Sequence, residues 1–177
     1  MLIPYGLNPD ETWEIDFASV RAKAAIRDLR AAVERMREKD PEMSMRLEGR
    51  AVALEAELAA YEPGSGPIFT VGPIPNGMRA EVAGEAAAIG EVVDPVDHER
   101  RDVAWSEKVV RWSVRGHRNL RSRNGTEVPF ATEEVEWDGR KRKLVARATL
   151  EAYQMILGDL ALACLRSQRL DEAGKNA

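Results

Sequence analysis

The sequence predicts a mainly α protein with minor β: a compact helical domain with short β segments, an antiparallel helical hairpin extension and an extended N-terminal arm. Three observations lead there. Apolar residues recur at 3- and 4-residue steps over several long stretches, the signature of one buried helix face. Clusters of Pro and Gly separate those stretches. Two short segments with Asn-Gly or Asp-Gly pairs carry turn chemistry and leave room for only brief strands.

Residues 1–16, with Pro4, Gly6 and Pro9, read as an extended arm. Its apolar points, Leu2, Ile3, Tyr5, Leu7, Trp13 and Ile15, suit docking on a neighbour or on its own domain, and Tyr5 and Trp13 are the candidate anchors. A hairpin is expected over 17–62. Its first helix runs from about Phe17 to Lys39 with Ala22, Ile26, Leu29, Val33 and Met36 on one face. Asp40 caps the second, and Pro41 takes the first helical position, where its missing N–H costs nothing. That helix, to about Tyr61, carries Leu47, Ala51, Leu54, Leu58 and Tyr61 as the facing seam. "EPGSGP" ends it.

An α-rich core domain is expected over 67–177. "IFTVGPIP" reads as a short strand, Asn76 as the cap of a helix through Met78, Val82, Ala86 and Ile89, and Val96 to Arg115 as a helix that stops at Gly116. Asn124-Gly125 signals a hairpin, with "TEVPF" as a flanking edge strand because Pro129 cannot donate to a ladder. "VEWDG" offers a second short strand and turn. A final helix from about Leu144 to Arg166 carries Leu150, Tyr153, Leu157, Leu160 and Cys164, followed by a polar tail.

The chain has 177 residues, 32% of them charged, and a net charge of −4, which gives no global drive toward nucleic acid or acidic membranes. Cys164 is the sole cysteine, so no internal disulfide forms, in keeping with a reducing compartment. The start of the chain lacks the basic and apolar regions of a signal peptide, and no stretch reads as a bilayer span. The expected place is the cytoplasm of the producing cell.

The most charged segment is "VVRWSVRGHRNLRSRNGTEVPF", Val109 to Phe130. Arg111, Arg115, Arg118, Arg121 and Arg123 fall in it, five acids follow between Thr126 and Asp138, and Arg140 to Lys143 are all basic. The opposed blocks partly cancel, and Trp105 and Trp112 lie on an apolar helix face instead of standing ready to stack on bases. The segment therefore reads as a helix end, a charged turn and an edge, with the five arginines as a docking rim whose planar forks suit carboxylates. His98 and His117 lie in different elements, so no metal set is expected. Cys164 sits on a helix stripe as a buried thiol, and no phosphate loop or nucleophile elbow occurs. Neither catalytic residues nor cofactors are expected.

Features from Pro67 onward resemble small tailed-bacteriophage morphogenesis proteins, including tail assembly chaperones. The resemblance rests on "GPIFTVGPIP", a helix, Gly116 to Leu120 as a turn, Gly125 to Phe130, a long apolar helix and the closing "RLDEAGKN". His117 stands where the pattern has an aromatic, commonly Trp, and the hairpin over 17–61 is an addition. The resemblance implies an α-rich protein of the host cytoplasm or the virion. Its partners would be tape-measure, tail-tube or head–tail proteins, or further copies of itself, with no membrane. The expected function is thus a non-enzymatic assembly protein. One alternative is a virion component such as a head–tail connector, cement or baseplate protein. A second is a nucleic-acid-binding accessory protein using the arginines above and Arg140 to Lys143.

Overall fold

A computed structural model describes residues 11–174, with side chains described through Gln168. Tyr5 and the other arm residues before Glu11 lie outside the described residues, as does the closing Lys175-Asn176. The protein is mainly α with minor β. Its elements are β1 (Trp13–Asp16), α1 (Phe17–Met36), α2 (Pro41–Ala60), β2 (Ile68–Val71), α3 (Asn76–Gly90), α4 (Pro95–Ser113), β3 (Val114–Arg118), β4 (Thr132–Trp137), β5 (Arg140–Val145), α5 (Arg147–Tyr153) and α6 (Leu157–Gly174). The chain divides into two compact units, Asp16–Pro67 and the described residues on either side of it.

In the first unit, α1 and α2 form the antiparallel hairpin. The Asp16 carboxylate accepts from Ser19 N–H to cap α1, and the Asp40 carboxylate accepts from Met43 N–H to cap α2, whose first residue is Pro41. Ala51 is wholly buried, and the buried Ser44 hydroxyl donates across the helix pair to the Val33 carbonyl at 3.2 Å. Small side chains at these points let the two backbones approach. Arg30 on α1 reaches Glu48 and Glu55 on α2 and clips the outer edge.

In the second unit, β1, β2 and β3 form a three-stranded sheet in that order, with β2 and β3 antiparallel and Phe69 opposite His117. β4 and β5 form a separate hairpin. Its turn, Asp138-Gly139, has φ of 54° and 66°, the left-handed pair that a two-residue turn requires. α4 packs on α6 and α3. The core gathers Phe69, Ile74, Val109, Val110, Val145, Tyr153, Leu160 and Cys164.

Several expectations need correction. The helix before Gly116 ends at Ser113, because Val114 pairs with Val71 and the chain turns into β3. Gly116 to Arg118 is therefore strand, with Gly116 opposite Thr70, and does not terminate a helix. Asn76 is the first residue of α3 and gives it no side-chain cap. "TEVPF" makes a single bridge, Glu127 to Arg121, across the Asn124-Gly125 turn and forms no strand. The basic run Arg140–Val145 is itself a strand. The last helix is broken by a 3-10 turn at Gln154–Ile156, and α6 continues through Asp171 and Glu172 to Gly174, where a polar tail is expected. Arg147–Gln168 is long and apolar enough on composition to cross a bilayer, at a mean hydropathy of 1.2, although no such stretch is expected from the sequence. In the fold its Leu150, Tyr153, Leu157, Leu160 and Cys164 are buried in the core.

Candidate interaction surfaces

The first surface is on α2. Its inner seam follows Leu47, Ala51, Leu54 and Leu58, buried or half-buried. A second 4-3-4-3 series, Met45, Gly49, Val52, Ala56 and Ala59, is offset by two residues, about 200° around the helix, and is exposed at every position. Met45 and Val52 retain 69% and 51% of their accessible area. One helix thus carries apolar stripes on opposite sides, of which α1 uses one. The spacing of the exposed stripe was readable in the sequence, but only the exposure identifies it as unused.

The second surface is the charged segment. The structure separates its five arginines. Arg111, near the end of α4, ion-pairs with Glu133 on β4. Arg118, at the end of β3, pairs with Glu14 on β1 at 2.9 Å. Arg121 donates to the Gly125 carbonyl at 3.0 Å and stiffens its own turn. Arg123, at the same turn, is exposed. Arg115 is half-buried and reaches the Pro73 carbonyl at 3.4 Å, so it lies apart from the exposed turn. Trp13 is half-buried in β1, with its ring nitrogen buried and lacking a hydrogen-bond partner. The acidic block and the following basic block are the two strands of one hairpin. Glu134 lies opposite Lys143, and Glu136 opposite Lys141. Like-sign runs in sequence become opposite-sign neighbours in space, which stabilises the hairpin and lowers the net field around it.

His117 is the joint between the sheet and the loop after it. One ring nitrogen, Nε2, lies 2.7 Å from the Val128 carbonyl, which can only accept, so Nε2 carries the hydrogen. In the neutral imidazole Nδ1 is then the acceptor for the Tyr153 hydroxyl. Phe69, Phe130 and Tyr153 surround the imidazole edge-on at centroid distances of 5.5–6.0 Å. His117 acts as a member of an aromatic cluster with two polar tethers. Trp112 and Trp137 make a second edge-to-face pair at 5.1 Å, joining α4 to β4. The Trp105 ring N–H donates to the Val82 carbonyl at 2.9 Å, tying α4 to α3.

Compared with family models, curated proteins and solved structures, the chain gives no match.

Cys164 is wholly buried, and burial pushes its thiol up to about 12, against the Ser113 hydrogen bond and the Arg115 charge, which act the other way. A thiol held in that form is a packing group and a poor nucleophile.

Proposed function

We propose that this chain is a non-enzymatic assembly protein that works through protein–protein contacts, in the manner of a tail assembly chaperone of tailed bacteriophages. The observation that supports this reading is the exposed stripe Met45, Gly49, Val52, Ala56 and Ala59 on α2. An apolar row at helical spacing, in small residues that permit close approach, suits another helix. A helical tape-measure protein or a second copy of this chain would supply one. Two roles, transient chaperone and lasting virion component, would use the same surface and differ in whether the chain stays in the particle.

The test is to replace Met45 and Val52 together by Glu. Both side chains are largely exposed, so the fold should change by no more than about 0.5 kcal/mol per site. Wild type is expected to self-associate or co-purify with the tape-measure or tail-tube protein of the same genome when co-expressed. The double variant should be monomeric and alone, with an unchanged circular dichroism spectrum. A wild-type chain that is monomeric at high concentration and captures neither protein would refute the reading. Mass spectrometry of purified particles then separates the roles: fixed copy number marks a virion component.

A further inference from the structure

A cleft of about 400 Å³ opens in the second unit, between the start of α3 and the strands β3 and β5. Pro73 to Asn76, Trp112, Arg115, Lys141, Arg142, Lys143 and Leu144 line it. Two of its charges, Arg115 and Arg142, are half-buried without an acid partner. Among the described residues no carboxylate ion-pairs with Arg115 or Arg142, although Arg111, Arg118, Arg30 and Lys108 all have such partners. The hydrogen bonds of Arg115 are two long ones of 3.4 Å, to the Val114 and Pro73 carbonyls. Arg142 Nε is buried and has no partner.

The position of Arg142 is itself a departure from pattern. On β4, Glu133, Val135 and Trp137 are half-buried while Thr132, Glu134 and Glu136 are exposed. Arg142 lies directly across from Val135, on the same side as buried Leu144. Strand alternation assigns that place to an apolar side chain. Arg115 is placed as deliberately. A side-chain carbon at Gly72 would come within 3.3 Å of Arg115 Nε, so the lack of one leaves the arginine stem room to lie over the backbone. Burial, then the charge of Arg142, pulls the Arg115 guanidinium below the ordinary arginine range. Two like charges are held close in a partly desolvated place, a standing cost that an anion would remove.

The third wall adds donors of the same sign. α3 starts with no side-chain cap and no acid in its first turn. Its leading amides have no intrahelical acceptor, and the positive end of its dipole lies at the cleft. Trp137 packs against Gly77 and fixes β4 beside this helix start.

We propose that this cleft binds a phosphate group of charge about −2, either free phosphate or a phosphate monoester such as a mononucleotide. Arg115 and Arg142 supply planar forks, the start of α3 supplies backbone N–H donors, and Lys141 and Lys143 stand at the rim. A bounded cleft with two guanidinium groups suits one compact anionic group better than it suits a strand of phosphodiesters, which needs a groove running across the surface.

The experiment uses the full chain, with isothermal titration calorimetry and thermal melts at constant ionic strength set by chloride. The probes are inorganic phosphate, adenosine monophosphate and a decathymidylate without terminal phosphates. Phosphate or the mononucleotide should bind and raise Tm, and their relative affinity identifies the source. Arg115→Gln and Arg142→Gln should each weaken binding at least about tenfold. Without ligand, Arg142→Gln should leave Tm unchanged or raised, because an unanswered charge is gone. That readout separates ligand loss from misfolding. Arg123→Gln, at the exposed turn, should bind as wild type. Absence of binding by both inorganic phosphate and adenosine monophosphate, binding by the oligonucleotide alone, or equal affinity in the Arg142→Gln protein would each overturn the proposal.

Discussion

Replacing Asp16 by Ala should loosen the helical hairpin at its open end. The carboxylate makes three bonds. Oδ1 accepts from Ser19 N–H at 3.2 Å and from the Tyr61 hydroxyl at 3.0 Å, and Oδ2 accepts from Gly64 N–H at 2.9 Å. One side chain thus caps α1 and ties it to the residues that follow α2. The Tyr61 oxygen passes the tie on by accepting from Gly66 N–H at 3.0 Å. A lost N-cap costs about 1 kcal/mol. The other two bonds to the anion, in a half-exposed place, add roughly 0.5–1 kcal/mol each. The sum is about 2–3 kcal/mol, or an opening equilibrium shifted roughly 30- to 150-fold. Hydrogen exchange read by mass spectrometry would show this as faster exchange in peptides from 17–61, with little change in peptides from 95–113. Acceleration below about threefold, or equal acceleration in both regions, would refute the assignment of Asp16 as the tie.

The same carboxylate gives the hairpin a pH dependence of known sign. Burial alone would raise its pKa, but the Gly64 and Ser19 amides and the Tyr61 hydroxyl outweigh burial and hold it below the usual carboxylate value. The unfolded state then takes up the proton more readily than the native state. The stabilisation is present above the unfolded-state value, about 4, and is lost as pH falls through the lower native one. Exchange corrected for its intrinsic pH dependence should accelerate below about pH 4 in wild type. In Asp16→Asn that acid limb should be flatter.

Two further predictions concern the second unit. His117→Ala would leave the wholly buried Tyr153 hydroxyl and the Val128 carbonyl without their partner, and should cost about 3 kcal/mol in a urea titration. Adding Tyr153→Phe to it should cost less than the sum of the single changes, since no hydroxyl is then stranded, and strict additivity would refute the coupling. Cys164, with its thiol pushed up to about 12 first by burial, should resist an aromatic disulfide reagent at pH 8 until the protein unfolds. Immediate labelling of the native chain would contradict its place in the core.

The hairpin was legible because its determinants are local: the cap at Asp40, the proline after it, and a seam that repeats within each helix. β3 was not, because nothing local separates Val114 and Arg115 from the helix they follow. Val114 leaves that helix for a pairing with Val71, forty-three positions earlier in the chain, and such a pairing has no signature at either end alone. In sequence the basic run reads as a block of charge, because Lys and Arg alternate with one another and hide the period-2 pattern. The Asp138-Gly139 turn before it was the usable signal for a strand. Among the arginines, sequence proximity suggested one rim. The fold engages Arg111 and Arg118 with acids from β4 and β1, leaves Arg121 and Arg123 at the turn, and turns Arg115 elsewhere.

That dispersal bears on how a chain of net charge −4 uses its positive residues. Several are answered close by: Lys108 by Glu81 and Glu85, Arg30 by Glu48 and Glu55, Lys141 by Glu134. An answered charge on a surface contributes little to stability and little to a distant field. Among the described residues, Arg115 and Arg142 are half-buried without such an acid and line one cleft, brought together by β3 and β5, neither element being one that charge count or helix periodicity would identify. Local rules and the fold agree along the hairpin and disagree at this cleft. A disagreement that natural selection tolerates at a cost in folding free energy is the expected mark of a place that binds something.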